Sequence, residues 1–132
     1  MDLIKLDGTP LNLNAFRGKP LMVNLWASWC GPCLAEMPSL ERVRQRLADS
    51  GLVIVAISDE PLETIRPFVA KHGQEWRFLL AKRVLRQGEE ETKSLPQTYV
   101  FTAAGRKVLS RNRSEEWDSP ALLAKLQNLR DE

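Results

Sequence analysis

The chain contains two cysteines, Cys30 and Cys33, and both lie in one Cys-Gly-Pro-Cys stretch. Thiols at this spacing can interconvert between dithiol and disulfide, supply half of a metal site, or form a small inert staple. A loop this short removes little entropy from an unfolded chain, which argues against a staple. A zinc site needs four ligands, and the single histidine, His72, lies far along the sequence. Zinc would therefore require a dimer sharing two such pairs. That zinc-bridged form, or a redox-inert binding module, stands as the non-enzymatic alternative to thiol–disulfide exchange.

Placement favours exchange. An apolar run over residues 21–27 leads into the motif, and a helical pattern follows it. Backbone N–H groups at a helix start are unpaired and the helix dipole is positive there, so a thiolate is stabilised. Cys30 is expected to face solvent as the low-pKa nucleophile. Cys33, already in the first turn and more buried, is expected as the resolving thiol. Pro32 suits a first-turn position, where its missing N–H costs nothing.

The elements that must hold this motif are readable from periodicity. Residues 3–13 spell a short hairpin turning at Asp7-Gly8-Thr9-Pro10. Asn14 is positioned to cap one helical turn ended by Gly18. Asn24 is the one polar residue in the 21–27 strand, whose near-continuous apolar character suits burial on both faces. Leu34, Met37, Leu40, Val43 and Leu47 then recur at steps of three and four, predicting an amphipathic helix to about Asp49 with Pro38 inside it. Residues 52–57 form a second buried strand, residues 61–72 a second helix and residues 76–81 a third strand. Residues 83–86 are read as a helical turn, followed by a solvated acidic turn at Glu89-Glu90-Glu91. Residues 98–102 and 107–110 make a hairpin around Ala104-Gly105, and Ser119-Pro120 opens a last helix. This order describes an α/β sandwich with a mixed sheet, and 132 residues predict one domain over 1–132.

Composition narrows the function. Nineteen basic against seventeen acidic residues leave a net charge of +2, too little for a dedicated nucleic-acid binder. Lys82-Arg83 and Arg106-Lys107 read as solvated faces, with no glycine-rich phosphate loop beside them. The strongly apolar stretches are strand-sized and too short to span a bilayer. No basic-then-apolar leader follows Met1, which opens directly on the first strand.

Trp26-Ala27-Ser28-Trp29-Cys30-Gly31-Pro32-Cys33 resembles the active-site signature of the thioredoxin superfamily. More narrowly, Gly18-Lys19-Pro20, Asn24 and Cys33-Leu34-Ala35-Glu36-Met37-Pro38 resemble its TlpA-like branch, as does the opening Asp7-Gly8-Thr9-Pro10-Leu11. The resemblance implies a thioredoxin-like three-layer α/β/α sandwich with an N-terminal hairpin. It implies thiol:disulfide exchange with no dissociable cofactor and no metal, by an extracytoplasmic protein of the cytochrome c maturation type. Implied partners are a disulfide-containing protein substrate, apocytochrome c being one such, and a membrane thiol transporter as electron donor. A periplasmic monomer is expected, tethered to the membrane through an N-terminal anchor missing from this sequence; a cytoplasmic member is the alternative. Pro96, in Ser94-Leu95-Pro96-Gln97-Thr98, falls where the superfamily places a cis-proline bordering the cysteines; otherwise it simply starts an edge strand.

The expected substrate contacts are therefore Trp29, Gly31, Pro32, Leu95 and Pro96, around the catalytic Cys30 and Cys33. Glu36, three residues beyond Cys33, is within one helical turn of it. The resemblance implies a proton relay there; the plainer alternative is an acid complementing the helix dipole. Asn24 stands where ordinary thioredoxins carry a buried acid, and reads as a core amide bonded to backbone. Trp76 and Trp117 read as core. The Gly-Pro pair resembles reducing members more than oxidising ones, leaving an oxidase running the exchange backwards as the rival direction.

Overall fold

The computed structural model describes residues 1–131. Its strands are β1 (Leu3–Lys5), β2 (Pro10–Leu11), β3 (Leu21–Leu25), β4 (Val53–Ser58), β5 (Leu79–Arg83), β6 (Gln97–Phe101) and β7 (Lys107–Arg111). They form a seven-stranded sheet in the order β2-β1-β5-β4-β3-β6-β7. The β3–β4 and β4–β5 pairs are parallel and the others antiparallel, giving the expected mixed sheet. Helices α1 (Gly31–Arg46) and α2 (Leu62–His72) make the two crossovers, and α3 (Pro120–Gln127) closes the chain. Both α1 and α2 continue through their internal prolines, Pro38 and Pro67.

Side-chain alternation divides the core into two. Met22, Ile54, Ala56 and Val100 point to one face, where they pack with Met37 and Leu40 of α1, Ile65 of α2 and Leu126 of α3. Val23, Val55, Ile57 and Ala81 point to the other, against Leu11, Leu13 and Phe16. All three α-helices thus contribute to the first cluster. The third layer of the sandwich is thin: a single 3-10 turn, Leu13–Phe16, packed on the sheet face to which Leu3 and Leu11 of the N-terminal hairpin contribute.

Several local expectations shift. The 3-10 turn is capped by Asn12, whose side chain accepts from Asn14 N–H, so Asn14 is the capped residue and not the cap. The helical turn expected over residues 83–86 does not form. Arg83 instead ends β5, because its guanidinium is drawn to Asp59. That pairing also removes Lys82-Arg83 from the solvated faces: Arg83 is largely buried, and Lys82 Nζ donates to the backbone oxygens of Asp59 and Arg83. Residues 76–78 precede β5 because Trp76 is held by aromatic packing, its ring 5.6 Å from Trp26 and 5.8 Å from Phe78.

Gly73 follows α2 where a side chain has no room. A Cβ there would stand 2.7 Å from the Trp76 ring and 3.0 Å from Val69 O. Because that ring is wedged between Trp26 and Phe78, it has little freedom to give way. Gly73→Ala is expected to lower stability by about 1–3 kcal/mol, read as a lower denaturation midpoint at unchanged m-value.

Candidate active site

Helix α1 begins at the dithiol. Cys30 is its N-cap, extended at φ −95° and ψ 100°, and its Sγ accepts from Cys33 N–H at 3.2 Å. The two cysteines are joined as a disulfide with Cα atoms 5.3 Å apart. Gly31 and Pro32 occupy the exposed first turn. A helix N-terminus that already donates to this sulfur will also stabilise a Cys30 thiolate after reduction. The expected contrast in exposure is smaller than foreseen. Cys33 is fully buried, but Cys30 is also only 3% exposed in the disulfide state. Bonded to Cys33, its sulfur is drawn into the cluster built by Met22, Trp26 and Met37.

Around this pair the chain supplies one exposed ring and one turn. Trp29 stands 60% exposed beside Cys30. The Leu95–Pro96 peptide is cis, and the next residue, Gln97, pairs with Leu25 at the end of β3 that leads to the motif. Trp29 and Leu95 line one cleft with Ala27, Glu60 and Thr92. Two polar clamps hold its walls. Asp59 accepts from Arg83 at 2.8 and 3.0 Å and from the Thr92 N–H and hydroxyl at 2.8 Å each, fixing the segment before Pro96. Those donors hold the Asp59 carboxyl below its usual range, although its burial acts in the opposite direction. Glu60, buried, accepts from Ser28 N–H at 2.7 Å, Ser28 Oγ at 2.6 Å and Ser58 Oγ at 2.9 Å, tying the loop before Cys30 to the end of β4. Asn112 donates to Pro96 O at 2.9 Å from β7's far end.

Sequence reasoning passed over these clamps. A signal existed, since Ser58-Asp59-Glu60 forms the carboxyl end of a buried parallel strand and the two residues after it, where α/β sheets place their sites.

Glu36 is fully buried and points inward. Its Oε1 accepts from Asn24 Nδ2 at 2.7 Å; its Oε2 accepts from Trp117 Nε1 at 2.9 Å and Glu115 N–H at 3.1 Å. Burial pushes the Glu36 carboxyl above its ordinary value, and the Trp117, Asn24 and Glu115 donors pull back only part of that. Asn24 is bonded to side chains, Glu36 and Thr98, and not to backbone as expected: in mid-strand its neighbouring backbone groups are already used by β4 and β6. Trp117 is buried as foreseen, but its indole N–H meets a carboxylate, a role that spacing alone gave no means of finding.

The Redoxin family profile matches residues 1–111, most of the chain. The chain belongs to the Redoxin family. Within it, this member resembles the TlpA/ResA-like branch of the thioredoxin superfamily. It is 29% identical over 104 residues to the thioredoxin-like protein YneN of Bacillus subtilis, an alignment covering 76% of this chain and 60% of that one. It is 28% identical over 101 residues to the thiol-disulfide oxidoreductase ResA of Halalkalibacterium halodurans, covering 76% and 57%. The chain thus spans about three-fifths of the length of these curated relatives. Among solved structures, a thiol-disulfide isomerase from Corynebacterium glutamicum superposes with a TM-score of 0.78 at 17% identity, covering 98% of this chain and 92% of that one. A secreted Mycobacterium tuberculosis disulfide oxidoreductase superposes with a TM-score of 0.67 at 21% identity, covering 99% and 94%. These structures establish the thioredoxin-like α/β sandwich.

Proposed function

We propose that this Redoxin-family chain is a single thioredoxin-like unit, residues 1–132, catalysing thiol:disulfide exchange as a reductase of protein disulfides. The observation that carries the reading is the Cys30–Cys33 pair at the N-terminus of α1, one helical turn from a buried carboxylate. In the reduced protein the Cys30 thiolate attacks a substrate disulfide. One substrate sulfur leaves as a thiolate and a Cys30–substrate mixed disulfide remains. Cys33 then gives its proton to Glu36, directly or through one water, and attacks Cys30 Sγ. The Cys30–Cys33 bond forms, the bond to substrate breaks, and the second substrate sulfur leaves. The substrate has gained two electrons and the protein has lost them.

An extended substrate segment pairs with the Leu95 backbone beside Pro96 and rests on Trp29, Gly31 and Pro32. Such strand addition needs no deep pocket. The resemblance to the TlpA-like branch supports extracytoplasmic proteins carrying disulfides as the substrates, apocytochrome c among them. A membrane thiol transporter returns electrons to Cys30–Cys33, and the protein works as a periplasmic monomer. Among the described residues no helix is long and apolar enough to cross a membrane.

Equilibration with glutathione buffers tests the direction. A reductase is expected near the thioredoxin value of about −270 mV, far from the about −120 mV of a strong oxidase. A potential at the oxidising end would reverse the assignment. Stoichiometric zinc in the reduced protein, with no exchange activity, would favour the bridged dimer.

A further inference from the structure

Three residues of α1 spaced by three, Glu36, Ser39 and Arg42, all bond the segment that precedes α3. Glu36 Oε2 takes the Glu115 N–H and the Trp117 indole. Ser39 Oγ accepts from Trp117 N–H at 3.0 Å and lies 2.8 Å from Glu36 O and 3.3 Å from Glu115 O. Arg42 reaches Asp118 at 2.6 Å and Glu116 at 3.2 Å. Residues at this spacing share one helix face, so residues 115–118 are stapled along the active-site helix. The staple also seals Glu36 beneath a fully buried Trp117.

Every hydrogen-bond partner of the Glu36 side chain in this arrangement is an N–H. Asn24 could offer an acceptor only by turning its amide over. As oriented, both hydrogens of Nδ2 are used, on Glu36 Oε1 and Thr98 Oγ1, while Oδ1 is buried without a partner. Reversal would strand two N–H groups in place of one carbonyl oxygen, and unpaired buried donors are costly. The three N–H donors therefore favour the carboxylate, working against the burial that favours the acid.

We infer that Trp117 and Asn24 are positioning residues that hold Glu36 as an anion and so set the pH at which Cys33 can be deprotonated for the resolving step. The inference rests on the proposed role of Glu36 as base. The charged groups on the elements packed there are few. Glu115 faces Glu36 and is paired with Arg113 at 2.7 Å and Arg111 at 3.5 Å; Arg42 is paired with Glu116 and Asp118. From β3 and β6 come only the neutral Asn24 and Thr98. Removing an N–H donor from a carboxylate raises its proton affinity, so the base would become available only at higher pH.

Stopped-flow reaction of the reduced full chain with an aromatic disulfide reads both steps. A first thiol is released as Cys30 attacks and a second as Cys33 resolves. Trp117→Phe is expected to move the midpoint of the second phase up by about one pH unit. Below that midpoint the phase slows about tenfold, with recovery at high pH. Asn24→Val, which removes the other side-chain donor, is expected to shift it the same way, and reports alone if the tryptophan variant does not fold. In a Glu36→Gln background neither substitution should move the profile further. Arg42→Met, which loosens the staple without touching the carboxylate, should leave the midpoint in place. A pH-independent slowing, an unmoved midpoint, or an equal shift with Arg42→Met overturns the inference. If Glu36→Gln itself resolves at the wild-type rate, the base assignment falls instead.

Discussion

Cys30→Ser is expected to abolish exchange, leaving turnover at least about a thousandfold below wild type, whereas Cys33→Ser will accumulate stable mixed disulfides through Cys30. The asymmetry follows from where α1 begins. Cys30 is the N-cap, its sulfur receiving the Cys33 N–H at the positive end of the helix dipole. Cys33 lies inside the first turn, where its own N–H is already given to Cys30 Sγ and its side chain is enclosed by the core, the arrangement of a resolving thiol. Mass spectrometry of the trapped adducts checks the assignment, as does the order of alkylation of the reduced protein near neutral pH. Label arriving on Cys33 first, or adducts accumulating on a Cys30→Ser variant, would exchange the two roles.

Glu36→Gln is expected to slow the resolving step by about 10- to 100-fold while leaving the first attack by Cys30 much less affected. The carboxylate has the inward orientation that a base for Cys33 needs, and burial raises its proton affinity toward the working pH. The sign of the pH dependence follows. The base is the ionised form, so the step weakens as pH falls through the raised Glu36 value, starting at higher pH than an ordinary glutamate would give. Glutamine retains the size but cannot take the proton, and its NH2 must confront donors on one side, either Asn24 or the Trp117 and Glu115 N–H groups, while its oxygen accepts on the other. Phase-resolved kinetics separate this from a loss of folding, because a destabilised protein would lose both phases together.

The readable parts of the molecule were those governed by local periodicity or by a contiguous motif. The β3–α1–β4 unit was legible because residues 21–25 and 53–58 are apolar runs and α1 carries its stripe over four turns. Cys30, Cys33 and Glu36 lie within seven consecutive residues, so the first two turns of one helix fix their relation. The clamps around them are assembled from distant segments. Glu60 meets Ser28 across thirty-two residues, Arg83 meets Asp59 across twenty-four, and Trp117 meets Glu36 across eighty-one. No periodicity encodes such pairings. Arg83 shows the cost of reading locally: beside Lys82 it looks like surface charge, yet the end of β5 brings it to a largely buried aspartate. Trp117 likewise scores as core on hydrophobicity, and its indole N–H becomes informative only once a carboxylate stands opposite.

The near-complete burial of Cys30 in the disulfide state bears on how electrons are kept in the right circuit. Reduction of the oxidised protein requires an incoming thiolate in line with the sulfur being attacked, and that sulfur belongs to a residue only 3% exposed. A bystander thiol meets Trp29 and the exposed first turn of α1 before it meets the bond. The packing around Cys30 therefore acts as insulation: a small thiol is expected to reduce the disulfide more slowly in the folded chain than in the unfolded one, a difference in rate that leaves the equilibrium potential untouched.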